Sequence, residues 1–135
     1  MADPAVVAQL ILEHAEAMVI GSPALPIAYP DVTFIPPTDG KYLRLDLFNN
    51  EPFWQGLSSG RIDQGLMQVM VVWPRAEGRI KPAEVAALVM EHWAKLTVLQ
   101  GSGVRVKVNR EPYVSSPILS DHETETPITI PWNAV

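Results

Sequence analysis

The sequence predicts an α+β fold, in which two amphipathic helices pack on one face of a mostly antiparallel β-sheet in the order α-β-β-β-α-β-β. Two segments carry apolar residues at helical spacing, and several others alternate apolar and polar residues. The 13 prolines separate these segments cleanly. Because 135 residues suffice to bury one core, we interpret residues 1–135 as a single domain.

The first predicted helix begins at Asp3, a favoured N-cap residue, with Pro4 at the first helical position. His14 lies on the same side as its apolar stripe, and Gly21 marks its end. The stripe consists of Val6, Val7, Leu10, Ile11 and Met18. Three prolines exclude a helix or a central strand over residues 21–31, so we expect an ordered connector there.

Three strands are predicted before the second helix. Val32–Ile35 is a short apolar run that is stopped by two prolines. Tyr42–Phe48 alternates strictly and indicates a half-buried antiparallel strand. Arg61–Trp73 becomes apolar on both faces towards its C-terminal end, so we expect that end to be covered on both sides.

The second predicted helix begins at Pro82, and we expect Trp93 to be buried against the sheet. Its apolar stripe consists of Val85, Leu88, Val89, Trp93 and Leu96. Val104–Val108 is the next strand, with Arg105 and Lys107 on one face, which is either solvated or an interface. Glu111–Val114 is a candidate edge piece.

The last predicted strand runs from Glu123 to Trp132. Its glutamates, Glu123 and Glu125, share one face. Pro127 and Pro131 lack a backbone N–H, which favours an edge position or one in which those atoms face solvent.

The composition excludes several classes of function. Without cysteine, the chain has no disulfide, thiolate nucleophile or cysteine zinc site. Its formal net charge of −5 argues against sequence-specific or non-specific binding of nucleic acid. The N-terminus lacks a basic signal-peptide region, and no apolar run is long enough for a membrane span. We therefore expect cytoplasmic synthesis and no membrane partner.

The residues suggest no catalytic, cofactor-binding or metal site. His14 and His92 lie on or beside helical apolar stripes, where histidines usually pack. His122 is the centre of the most metal-like cluster, residues 121–123, but a metal needs three or four converging ligands. The serines do not lie in a nucleophile elbow. A small enzyme that uses Asp121, His122, Glu123 or Ser58 remains an alternative hypothesis.

One loop is a candidate partner interface. Glu51–Gly60 joins the two long strands and carries Phe53, Trp54 and Leu57 in a frame rich in glycine and serine. The aromatic residues either fold back onto the sheet or anchor another chain, since interface hot spots are enriched in aromatic residues.

Two motifs resemble those of the tail-terminator-like proteins of long-tailed, non-contractile phages and phage-like elements. The first is F-x-P-P-x-x-G-x-Y-L-R over residues 34–44, preceded by Pro30-Asp31. The second is G-x-x-Q-V-x-V-x-x-P over residues 65–74. The resemblance covers roughly residues 1–133 and extends to Pro131-Trp132.

This resemblance implies a structural subunit, with no cofactor, that forms a ring, six-fold by family precedent. The ring would cap the tail tube and join the head connector, so its partners would be its own copies, the tube protein and the connector. It would assemble in the host cytoplasm and end at the head-proximal end of the virion tail. Glu123 and Glu125 would then be a candidate acidic lining of the DNA conduit. A head-completion adaptor or a ligand-binding module of the same phage setting is the alternative.

Overall fold

The computed structural model describes residues 3–21, 24–54 and 61–135. Two helices, α1 (Pro4–Glu16) and α2 (Ile80–His92), accompany eight strands. The strands are β1 (Ile27–Ala28), β2 (Tyr42–Trp54), β3 (Arg61–Pro74), β4 (Val98–Gly101), β5 (Val104–Val108), β6 (Tyr113–Val114), β7 (Ile118–Leu119) and β8 (Glu123–Ala134).

The eight strands form one curled sheet in the order β1-β2-β3-β8-β5-β4, and β6 and β7 also pair with β8. Only β1 and β2 are parallel among the pairs of the described residues, and the others are antiparallel. The predicted α+β class with a mostly antiparallel sheet is therefore confirmed. α1 lies against β4 and β5, and α2 lies against β3 and β8.

The predicted strand at Val32–Ile35 is wrong. Those residues form no strand, and the first strand is instead Ile27–Ala28, which pairs with Leu43 and Arg44 of β2. Asp31 has a φ of 54°, a left-handed conformation that breaks an extended run just before Val32. Pro30 before the segment and Pro36-Pro37 after it lack a backbone N–H, so a ladder of hydrogen bonds cannot continue beyond these four residues.

Of the two positions expected for the last strand, the edge of the sheet is wrong. One side of β8 pairs with β3 along its length, and the other pairs in turn with β5, β6 and β7. The Ser115 N–H donates to the carbonyl of Pro127 at 2.9 Å, so the backbone of Pro127 faces the short strands. Pro131, four residues on, faces the same way at the break between β5 and β6. Because the strands on that side are short and have breaks between them, the missing N–H groups of both prolines interrupt no continuous ladder.

One core cluster unites α1, α2 and alternate residues of β2, β3, β5 and β8. Asp3 caps α1 as expected, because its carboxylate accepts from the Ala5 N–H at 2.9 Å. Trp93 lies at the C-cap of α2 and is 1% exposed, which confirms its predicted burial. Leu96 was wrongly included in that helical stripe, because α2 ends at His92 and Leu96 lies exposed beyond it.

Candidate assembly interface

The hairpin formed by β2 and β3 extends beyond the rest of the sheet. Among the described residues, β3 pairs with β8 only from Asp63 onward, and Arg61 and Ile62 pair with β2 alone. On the other side, β1 pairs with only two residues of β2. We define the aromatic arm as Glu51–Trp54 together with Arg61 and Ile62.

The aromatic side chains of the arm face solvent. Phe53 is 56% exposed and Trp54 is 60% exposed, so neither belongs to the core cluster. Phe48, further down β2, is also exposed. Leu57, the third predicted interface residue, lies outside the described residues. The predicted loop at Glu51–Gly60 is wrong for its first four residues, because β2 continues to Trp54 and leaves both aromatic side chains exposed.

The base of the arm is held by tight packing. The pairing of β2 with β3 shifts register between Asn50 and Phe53, a bulge that bends and twists the hairpin. The Gln64 side-chain amide donates to the carbonyl of Glu51 at 2.9 Å across this bulge. At Gly65, an added Cβ would lie 2.3 Å from the Phe48 carbonyl oxygen and 2.5 Å from Cζ2 of Trp132. Only glycine lets the indole ring lie this close to the strand.

The two candidate pore-facing glutamates lie far from the arm, at the opposite end of β8. Glu123 pairs with Pro74 and Glu125 with Val72, whereas the arm end of β3 pairs with Ala134. Glu125 Oε1 lies 3.3 Å from Nη1 of Arg44, and its side chain is half-buried. Burial lowers the pKa of Arg44, but the hydrogen bond and charge of Glu125 outweigh that and raise the pKa overall. Much of the Glu125 charge is therefore balanced within the subunit.

The histidines do not form a common site. His14 and His92 stack on each other at the ends of the helices, while His122 is exposed in the turn before β8. His122 and Glu123 border an open cleft of about 400 Å³ that also includes Asp39. Over the described residues, no three His, Cys, Asp or Glu side chains converge as metal ligands would. Ser58, the remaining residue of the enzyme hypothesis, lies outside the described residues.

A second surface lies at the other margin of the sheet, and it includes the face of Arg105 and Lys107 that the sequence left as either solvated or an interface. β4 is its outermost strand, and the solvent side of β4 and β5 presents Val98 and Gln100 beside Arg105 and Lys107. The sequence placed the two basic residues on one strand face but did not predict β4, the strand next to them. The charge pattern of the sequence indicates this surface, because residues 94–110 contain Lys and Arg residues and no Asp or Glu.

Comparisons with known proteins agree with this architecture. The family model described as phage tail terminator protein matches residues 4–132, nearly the whole chain. One solved structure is 26% identical to the chain, with 95% of each chain covered and a TM-score of 0.76. No curated protein shows significant similarity to the sequence.

The chain therefore belongs to the phage tail terminator family, a family of structural proteins of the phage tail. Its resemblance to that family in the sequence motifs is confirmed. Within the described parts of the chain, no helix is both long and apolar enough to cross a membrane.

Proposed function

We propose that this chain is a tail-terminator subunit, several copies of which form a ring at the head-proximal end of the tail tube. The ring stops polymerisation of the tube and presents its other surface to the head connector. The observation that carries this proposal is the family match over residues 4–132. Six copies, assembled in the host cytoplasm before they join the virion, are expected by family resemblance.

The aromatic arm supports an assembly role. Two exposed aromatic side chains on a projecting hairpin offer a partner chain large, stiff contact area. The packing of Gly65 under Trp132 holds the base of the hairpin in one direction. A ring requires such a fixed element, since each copy must meet its neighbour at the same angle.

The charge balance supports a role beside DNA. A net charge of −5 provides little attraction for phosphate, so DNA could pass without being held. Glu123 and Glu125 remain the candidate lining of the conduit. Because Glu125 is paired with Arg44, Glu123 would contribute more of the repulsion.

The test uses tail tubes polymerised from the tube protein of the same phage. We expect the protein to halt elongation and to appear as a density on one end of each tube in negative-stain microscopy. Tubes that lengthen equally with and without the folded protein would refute the terminator role. Gold-labelled protein found on tail-less heads instead of tube ends would identify the alternative, a head-completion adaptor.

A further inference from the structure

We infer that the aromatic arm of one copy binds the outer margin of β4 and β5 on the next copy, and that repetition of this contact closes the ring. We define the basic edge as Val98, Gln100, Arg105 and Lys107, together with Lys95 and Leu96 beside them. The inference rests on the proposed function only in that it assumes assembly of several copies.

The basic edge lies at the β4 margin of the sheet, where its β4 residues belong to an open strand and its β5 residues lie on the solvent face beside them. Among the described residues, β4 pairs with β5 alone, so its outward N–H and C=O groups have no strand beside them. Natural proteins usually protect such margins with lysine, proline or a bulge within the strand. β4 reads Val-Leu-Gln-Gly and contains none of these. Leu10 of α1 packs next to Gly101, on the face of β4 opposite to Val98 and Gln100.

The basic edge combines apolar surface with positive charge. Val98 is 37% exposed and lies directly opposite Lys107, while Gln100 lies opposite Arg105. Residues 94–110 hold four of the 10 Lys and Arg residues of the chain and no acid: Lys95, Arg105, Lys107 and Arg110. In a chain with a net charge of −5, this concentration makes the basic edge a distinct patch.

The arm has the complementary chemistry. Glu51 is the one acid of the arm, and Asp63 is a second acid directly beside it on β3. The one base of the arm, Arg61, is already engaged with Asp63 at 3.1 Å. Phe53 and Trp54 can pack against Val98 and Leu96, and their ring faces also attract lysine and arginine side chains. Opposite charges beside apolar surface favour recognition between the arm and the basic edge.

The topology requires that this contact join two different copies. The arm belongs to β2 and β3 at one margin of the sheet, while β4 forms the other margin. Both lie at the same end, since Asp63 and Val106 both pair with Ala134 of β8. From β2 to β4, four spacings of about 4.8 Å separate the strands by roughly 19 Å along the sheet. Two different patches on opposite margins make a heterologous interface, the kind that generates rings.

The first experiment uses the absence of cysteine from the chain. A Glu51→Cys/Gln100→Cys variant is treated with a short bismaleimide, alone and after assembly onto tail tubes. We expect a ladder of covalent multimers that ends in a closed ring. The control, Glu51→Cys/Ile35→Cys, places the second cysteine on the connector before β2, at a residue that is 86% exposed. Absence of the ladder from capped tubes, or an equal ladder from the control, would overturn the inference.

The second experiment mixes two variants, each of which has lost one of the two surfaces of the proposed contact. Trp54→Ala retains the basic edge, and Arg105→Glu/Lys107→Glu retains the arm. Each variant alone should need a protein concentration about thirtyfold higher than the parent needs for assembly. This factor corresponds to a loss of about 2 kcal/mol in the free energy of the contact. Mixed, they should form a one-to-one heterodimer that does not grow, as measured by native mass spectrometry. Failure of the mixture to form this dimer, where parent rings form, would overturn the inference.

The two proposals fail separately. Covalent rings that do not cap tubes would preserve the interface and remove the terminator function. Capped tubes without the cross-link would preserve that function and remove the interface.

Discussion

The side chains of His14 and His92 each bind a backbone carbonyl at the C-terminal end of the other's helix. Their rings stack with centroids 4.1 Å apart, the Nε2–H of His14 donates to the carbonyl of His92 at 3.0 Å, and the Nε2–H of His92 donates to the carbonyl of His14 at 2.8 Å. Both carbonyls lie in the last turns of α1 and α2, where helix carbonyls have no partner within the helix. The pair therefore joins the two helix ends, and Trp93 packs edge-on against His14.

This pair predicts that the protein loses stability in mild acid. Burial lowers the pKa of His14 below 6.5, and the nearby His92 lowers it further, against an opposing effect of the backbone hydrogen bond. Below pH 6.5, His14 therefore binds a proton more readily in the unfolded chain than in the folded chain. By linkage, the free energy of unfolding falls as the pH falls from 6.5 towards the folded pKa of His14.

The measurement is urea unfolding between pH 7.5 and about pH 5, a window above the ordinary titration of carboxylates. His14→Gln should be less stable at neutral pH and should flatten the slope within that window. His122→Gln, at an exposed histidine outside the pair, serves as the control and should retain the slope of the parent. A parent protein whose stability is constant across the window would contradict the prediction.

Trp93→Ala should lower the free energy of unfolding by about 3–5 kcal/mol, because it leaves a large cavity between α2 and the sheet. Leu88→Ala is the matched control on the same helix, and its half-exposed side chain should cost much less. Thermal melting of both variants provides the comparison. A Trp93→Ala protein that melts within a few degrees of the parent would show that the indole is not packed as described.

Gly65→Ala should destabilise the base of the arm by about 1–3 kcal/mol or more, the usual cost of overpacking. The new Cβ would meet the carbonyl of Phe48, which belongs to the paired strand and cannot move freely. Gly101→Ala is the control, since its nearest neighbour at 2.9 Å is a terminal methyl group of Leu10. In chemical denaturation, the free energy of unfolding should be much lower for Gly65→Ala than for Gly101→Ala. Equal values would argue against the close approach of Trp132 to Gly65.

Trp54→Ala should leave the melting temperature almost unchanged, because exposed substitutions usually alter stability by less than about 0.5 kcal/mol. The same variant should weaken assembly by about 2 kcal/mol or more, the scale of an interface hot spot. The two measurements are thermal melting of the free protein and the length distribution of tail tubes grown in its presence. A variant that melts early but still caps tubes would identify Trp54 as a structural residue.

Much of the local structure was predictable because it depends on near neighbours in the chain. The N-cap at Asp3, the long strands β2 and β3, and the burial of Trp93 all follow from spacing and capping chemistry. Val32–Ile35 has the composition of a strand, but the prolines around it and the turn at Asp31 deny it a partner.

The central position of β8 depended on partners that the sequence does not display. Pro127 and Pro131 disfavour an inner strand in general, yet here their missing donors face a side lined by short strands with breaks between them. β4 was missed because four residues carry almost no periodic signal. Likewise, Glu125 reads as a free charge in the sequence, and only the pairing of distant strands brings Arg44 beside it.

By itself, the sequence determined the class of the fold, the two long strands of the hairpin and, through its motifs, the phage tail terminator family. These are properties of local pattern. Only the tertiary structure decided which surfaces remain available to another chain, because availability depends on what the rest of the chain covers. The aromatic arm is exposed since β8 ends before it, and the basic edge is open since β4 is the last strand of the sheet.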